Sequence, residues 1–337
     1  MNRIIRICSK SKRLSSLYYY LFDKSFDREH NAVLLGRLKH IEDSKNKNGN
    51  YFMLVRNIHR IEKGLLMRPK RPVFAKDYIK ETVSNFISIW DDSRLSSNPQ
   101  MKWFADILVE YFKTASSDPF VFTQYERFLQ VVQNSLNDTA DDCEVKAIPY
   151  KRLNSNKSDI AFEEFYKLTK QRRSVRWFVN QSVDRLLIDK AILAANQSPS
   201  ACNRQPFEFH VFDDPSLVKE LVSYPMGTIG YGHSIPIFIV IVGNLDAYFD
   251  ERDRHVIYID ASLSAMSLML ALETMGLSSV SINWPDVEER ESKMESFLNL
   301  QKHQRPIMCM GVGYPDPDGL IAYSEKRSLD QIRIYNK

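Results

Sequence analysis

The chain reads as an α+β protein, with an all-helical region over residues 1–155 and a sheet-centred domain over residues 156–337. Two patterns predict this. Up to about residue 145, apolar residues recur at helical spacing between polar breaks at residues 43–50, 91–100 and 137–144, and no segment there alternates at strand period. Beyond residue 160, four short apolar segments of strand length alternate with stretches of helical pattern, the layout of helices packed on a sheet.

In the first half the clearest helix covers residues 51–65, where Leu54, Ile58, Ile61 and Leu65 form one stripe. Others are expected over residues 76–90, 101–114 and 122–136. The polar run 151–158 (KRLNSNKS) connects the halves. A helix over 160–171 follows, then one capped by Asp184, in which Leu187, Ile188, Ala191, Ile192 and Ala195 repeat on one face. Residues 207–212 alternate as a strand. Residues 235–242 are apolar without a break, so that strand is expected to be buried on both faces. A long helix over 254–275 ends at Gly276, a C-cap residue. Strands over 280–284 and 306–312, with a helix over 287–300 between them, complete the order.

Bulk properties exclude several classes. A chain of 337 residues has room for two domains, and 44% hydrophobic with 26% charged residues is ordinary for a globular protein. A formal charge of +4 gives little support to nucleic-acid binding, and the aromatic residues do not interleave with basic ones as in a single-strand groove. Cys8, Cys143, Cys202 and Cys309 lie far apart with no CxxC pair, and the seven histidines form no HxxxH or HExxH pair. Neither a metal site nor a disulfide framework is expected, and a cytoplasmic location is the simplest. Residues 1–13 carry five basic residues and no acid. Their apolar run is broken by Arg6 and too short for a signal-peptide core, so they read as a solvated terminus or a surface-attracted amphipathic segment. Residues 256–277 are largely apolar but include Asp260, Ser264, Ser267 and Glu273, which favours a buried helix over an integral membrane segment.

Two motifs carry the chemistry. Arg172-Arg173-Ser174-Val175-Arg176 crowds three forked, permanently charged donors and a hydroxyl into five residues, a match for phosphate oxygens. Taken alone, it reads better as a solvated basic turn between two helices, because short motifs recur by chance. Ser198-Pro199-Ser200-Ala201-Cys202-Asn203-Arg204-Gln205-Pro206 is dense in small polar groups able to lie against a flat heteroaromatic ring. One amphipathic helix holds the two apart, the layout expected for FMN. Neither GxxxxGK[ST] nor GxGxxG is present, which disfavours a Walker loop or a Rossmann dinucleotide site. Nothing around Cys202 marks an activated thiolate, and a small packed side chain is the better reading.

Together RRSVR, one helix and SPSACNRQPF resemble the nitroreductase family, in which an arginine-serine motif, a helix and PSxxNxQPW follow in the same order. The resemblance covers about residues 160–330 and includes Gly311-Val312-Gly313-Tyr314-Pro315 and Lys326-Arg327; Phe207 stands where the family has Trp. It implies an α+β sandwich around a mainly antiparallel sheet, binding FMN at the interface of a homodimer. It also implies hydride transfer from NADH or NADPH through FMN to a small acceptor. Residue by residue, Arg172, Arg173, Ser174 and Arg176 match the motif that holds the phosphate, ribityl chain and pyrimidine edge. Pro199, Ser200, Asn203 and Gln205 match the loop that covers the ring from the partner subunit. Arg327 matches a C-terminal phosphate ligand, with Glu325 where the family often has a basic residue. Ile282, Asn283 and Gly313 fall on segments that approach the cofactor, although Ser281 to Trp284 lacks the family's usual pattern there. A fixed cation such as Arg176 at the pyrimidine edge would stabilise the negative charge that reduction places there, and no protein nucleophile is needed.

His59, Glu62 and Lys63 share the polar face of the helix over 51–65, as a patch bordering the flavin entrance or as a solvated charged face. Similar HxIEKGL segments occur in nitroreductase-like proteins with long helical extensions. The apolar stripe of that helix is expected to be buried in part on the sheet domain. A different class also fits: a non-catalytic flavin-fold scaffold, in a surface-polysaccharide system, whose helical region binds a partner.

Overall fold

The computed structural model describes residues 2–46, 48–69, 71–91, 98–138, 146–152 and 157–336. The boundary expected between residues 155 and 156 falls among residues 153–156, outside the described residues. Seven helices come first: α1 (Asn2–Cys8), α2 (Lys12–Leu21), α3 (Asp27–Asp43), α4 (Tyr51–Leu65), α5 (Ile79–Ile89), α6 (Pro99–Ala115) and α7 (Pro119–Asp138). Asn50 starts α4 by accepting from the Met53 N–H, and Asn98 starts α6 by accepting from Gln100, with Pro99 in the first turn. Leu54, Ile58 and Ile61 are completely buried, but among α5 and α6 residues such as Phe86, Phe104 and Tyr111. The stripe therefore closes a core of the helical region itself, which corrects the expectation that part of it lies on the sheet domain. Residues 1–13, expected as a solvated terminus or a surface-attracted amphipathic segment, contribute α1 and the start of α2, and no residue of α2 is buried.

After α8 (Phe162–Gln171) and α9 (Arg185–Ala195) come β1 (Phe207–Phe212), α10 (Pro215–Leu221), β2 (Ile237–Asn244) and α11 (Val256–Thr274). The chain then forms β3 (Ser278–Asn283), α12 (Glu288–Leu298), β4 (Gln304–Gly313) and the short α13 (Leu329–Ile332). The sheet runs β1-β2-β4-β3 and every pairing is antiparallel. Every residue of β2 is buried, as its unbroken apolar run requires. Alternate side chains enter opposite cores: Phe238, Val240 and Val242 meet Val218, Leu221 and Met294, while Ile237, Ile239 and Ile241 meet Ala191, Ala265 and Leu268. Helices thus cover both faces of the sheet.

Boundaries shift by a few residues from the sequence reading. The helix expected from residue 76 starts at Ile79, because Ala75 takes a left-handed φ of 61° and residues 76–78 turn before it. Trp284, expected in β3, lies outside it, next to Pro285, which has no N–H with which to continue the ladder. Asp184 caps α9 by accepting from the Leu186 N–H at 2.9 Å, and Gly276 follows α11 at φ 75°. Among the described residues one helical stretch, Glu251–Thr274, is long and apolar enough to cross a membrane. Its Asp260, Ser264 and Glu273 are buried, and it packs on α9 and the sheet.

The helical region and the sheet domain share a core. Ala32, Val33 and Phe52 pack with Leu245, Ala247, Tyr248 and Ile257. At Gly36 an added Cβ would lie 2.7 Å from Leu245 Cβ, so only glycine permits this approach of α3. His40, on the same face, bonds through Nδ1 to the Asp246 carbonyl at 2.7 Å.

Candidate functional site

The arginine motif leaves α8 in extended form and runs along the edge of the sheet. Ser174 bridges Ser279 in parallel, and the Val175 N–H donates to the Ser279 carbonyl at 3.0 Å. Extended backbone alternates its side chains, so Val175 enters the core while Ser174 and Arg176 face the other way. A cleft of about 120 Å³ is lined by Arg172, Arg173, Ser174, Arg176, Ala322, Ser324 and Lys326. Four of these residues are cationic and none is acidic. Arg172 Nε is buried without a hydrogen-bond partner, a costly state for a donor that an anion in the cleft would relieve. Glu273, held near Arg172 by bonds from Gln171 and Ser278, has its carboxyl pushed up by burial, an effect the Arg172 charge opposes. Arg176 is exposed, its guanidinium 5.8 Å from the Tyr231 ring centre.

The second motif is a strained loop between α9 and β1. Cys202, Asn203 and Gln205 all take left-handed φ values, 55°, 55° and 50°. Each costs on the order of 1–3 kcal/mol and persists only where neighbours over-determine it. Those neighbours are present. Asp260 of α11 accepts from the Ala201 N–H at 3.0 Å and from the Tyr248 hydroxyl at 3.2 Å, and burial pushes its carboxyl above the ordinary range. Arg204 is buried over the Tyr248 ring at 4.7 Å and donates to the Ala201 carbonyl. Gln205 donates its N–H to Ser200 Oγ at 3.0 Å and its side-chain amide to Asn203. Ser198 Oγ lies 2.8 Å from Ser267 Oγ.

Pro199, Ser200, Asn203 and Gln205 line a separate, open cleft of about 830 Å³. Its opposite wall comes from the helical region and includes His59, Glu62, Gln100 and Trp103. Glu62 is fixed from two sides, by Trp103 Nε1–H at 3.3 Å and His59 Nδ1 at 3.1 Å. The polar face of α4 therefore borders the loop through His59 and Glu62, while Lys63 is exposed and does not line the cleft.

The remaining sequence-derived residues are spread out. Ile282 is buried in the sheet core, while its neighbour Asn283 is exposed. Gly313 is buried where an added Cβ would meet Pro236 at 2.6 Å and Phe178 at 3.0 Å. Arg327 is exposed, and the basic residue lining the arginine cleft from the C-terminal segment is Lys326. Asp260, Tyr248 and Arg204, which hold the loop, did not stand out from the sequence as functional. The only signal was an acid inside the apolar stretch 256–277.

Residues 169–229 and 232–314 match the nitroreductase family. Iodotyrosine deiodinase 1 of Sus scrofa is 24% identical over 237 residues, which cover 61% of this chain and 81% of that protein. Among solved structures, a nitroreductase family protein from Streptococcus pneumoniae has 24% identity and a TM-score of 0.45, covering 51% of this chain and 100% of its own. An FMN-dependent nitroreductase from Clostridium difficile has 22% identity and a TM-score of 0.43, covering 50% and 98% respectively.

Proposed function

The chain carries a nitroreductase-family fold preceded by a helical region, and from that premise we propose an FMN-dependent oxidoreductase that uses NADH or NADPH and a small-molecule acceptor. The observation that carries this reading is the arginine cleft, with four cations, no lining acid and a buried, unpartnered Arg172 Nε. A dianionic phosphate ester is the ligand such a cleft favours. FMN, when bound, would supply the two-electron carrier between nicotinamide and acceptor.

The chain's own groups have distinct tasks on this reading. Arg172, Arg173, Ser174 and Lys326 would hold the phosphate, and Arg176 would supply a fixed positive charge to the flavin. The strained Pro199–Gln205 segment keeps its amides in place without reorganisation, as electrostatic preorganisation requires. Across the 830 Å³ cleft, His59, Glu62 and Trp103 form the wall that faces the loop.

The protein as purified should be yellow, and its flavin absorbance should bleach anaerobically with NADH or NADPH. A colourless protein that cannot be loaded with FMN would overturn the reading. A protein that binds FMN but is not reduced by either nicotinamide would overturn its catalytic part.

The loop and the arginine motif line different cavities of one chain, which supports a homodimer where one subunit's loop covers the other's cofactor. Ile259, Leu263 and Met266 form an exposed apolar stripe at i, i+4, i+7 on α11, a face suited to such an interface. Sedimentation at low micromolar concentration should give a dimer. A monomer that still binds FMN stoichiometrically would refute the arrangement.

A further inference from the structure

Helices α1 and α2 form a hairpin, tied by the Ser15 hydroxyl donating to the Cys8 carbonyl at 3.0 Å. It rests against the start of α3 through Tyr19, whose ring meets that of Phe26, the residue before the helix, edge-on at 4.5 Å. Its outer surface joins two features that seldom coincide on a soluble face. Leu14, Leu17 and Leu21 are 39%, 49% and 57% exposed, and their i, i+3, i+7 spacing puts them on one side of α2. Ile4, Ile7 and Phe22 are also exposed. Among these apolar residues stand Arg6, Lys10, Lys12 and Arg13, all exposed, and residues 1–22 contain no acid.

Charge decides between possible occupants. The whole chain has 46 Lys and Arg against 42 Asp and Glu, and five of the basic residues lie within residues 1–13. The remaining chain therefore has 41 basic and 42 acidic residues, a net charge of −1. A second copy would offer this basic, apolar hairpin a nearly neutral surface. An anionic bilayer offers both complements at once: an apolar layer about 5–10 Å below the headgroups and a dense negative charge above it.

We propose that α1 and α2 lie in the surface of an anionic membrane and hold the protein there peripherally, with leucines and isoleucines in the acyl boundary and basic residues among the headgroups. Each basic residue near such a surface is worth about a fivefold change in binding.

The test is co-sedimentation of the full-length protein with vesicles of phosphatidylcholine alone or mixed with phosphatidylserine. Pelleting should require phosphatidylserine and fall as salt rises, since screening weakens the attraction. Replacing Arg6, Lys12 and Arg13 together by Gln should weaken binding about 10²-fold. Leu14→Asp with Leu17→Asp should abolish it while leaving the circular dichroism spectrum and thermal unfolding unchanged. Absence of phosphatidylserine-dependent pelleting at low salt would overturn the proposal. So would charge variants that pellet like the parent. If the leucine variant instead loses self-association in sedimentation, the face is an interface between copies and the membrane assignment falls.

Discussion

Replacing Arg172 and Arg176 together by Ala should lower the affinity for FMN by roughly 10²-fold or more. A hydrogen bond to a charged group contributes about 1.5–3 kcal/mol; two lost contacts amount to about 3–6 kcal/mol, and each 1.4 kcal/mol is a factor of ten. The two arginines are not equivalent. Arg172 is half-buried with Nε lacking a partner, so its desolvation is already met in the free protein and the ligand gains a preorganised donor. Arg176 is exposed and surrenders more hydration on binding. The Arg172→Ala single variant should therefore account for the larger share of the loss, and Arg172→Lys should recover only part of it, because an ammonium lacks the planar fork. Fluorescence titration with FMN measures all of these. Unchanged affinity in the double variant would remove the cleft as the phosphate site.

The second large effect is expected at Asp260, a residue assigned no contact with cofactor. Asp260→Ala should destabilise the protein by about 3 kcal/mol or more, because two hydrogen bonds to a charged acceptor vanish and the Tyr248 hydroxyl is left without its partner. At about 2–4 °C per kcal/mol for a domain of this size, the unfolding midpoint should fall by roughly 6–12 °C. The loop gives this loss a local signature. With the Ala201 anchor gone, the three left-handed residues Cys202, Asn203 and Gln205 lose part of what compels them. Limited proteolysis should then cut within residues 199–206 before any other site in the domain. Asp260→Asn keeps an acceptor and should lose much less. An Asp260→Ala protein melting within about 1 °C of the parent would mean that the loop holds its strain without this carboxylate.

The legible parts of the fold were those in which one pattern had one physical meaning. An unbroken apolar run of strand length reads as a strand covered on both sides, and β2 is that. The arginine and loop motifs stood out only in combination, since either alone has a bland reading and it is their order around one helix that the resemblance uses. Helix α3 was not recognised, for a specific reason. Its buried residues are Ala32, Gly36 and His40, while Leu34, Leu38 and Ile41 are exposed. Its large apolar residues thus mark the face that does not pack, and close backbone approach replaces side-chain burial. For α4 the stripe was read correctly, but a stripe does not name its partner, and its neighbours turned out to be α5 and α6. The Asp260 anchor was hidden in a similar way: its partner Ala201 is 59 positions earlier, and no local period records that pairing.

The contact of α3 with the segment after β2 also has a consequence for synthesis. His40 and Asp246 are 206 residues apart in the chain. At about 5–20 residues per second, α3 leaves the ribosome some 10–40 s before its docking surface exists. During that interval its inner face offers alanine, glycine and a histidine to other nascent chains, not leucine or phenylalanine. A surface that docks through small residues and one histidine hydrogen bond is a poor target for promiscuous association, so the small residues that hid this helix from view also let it wait.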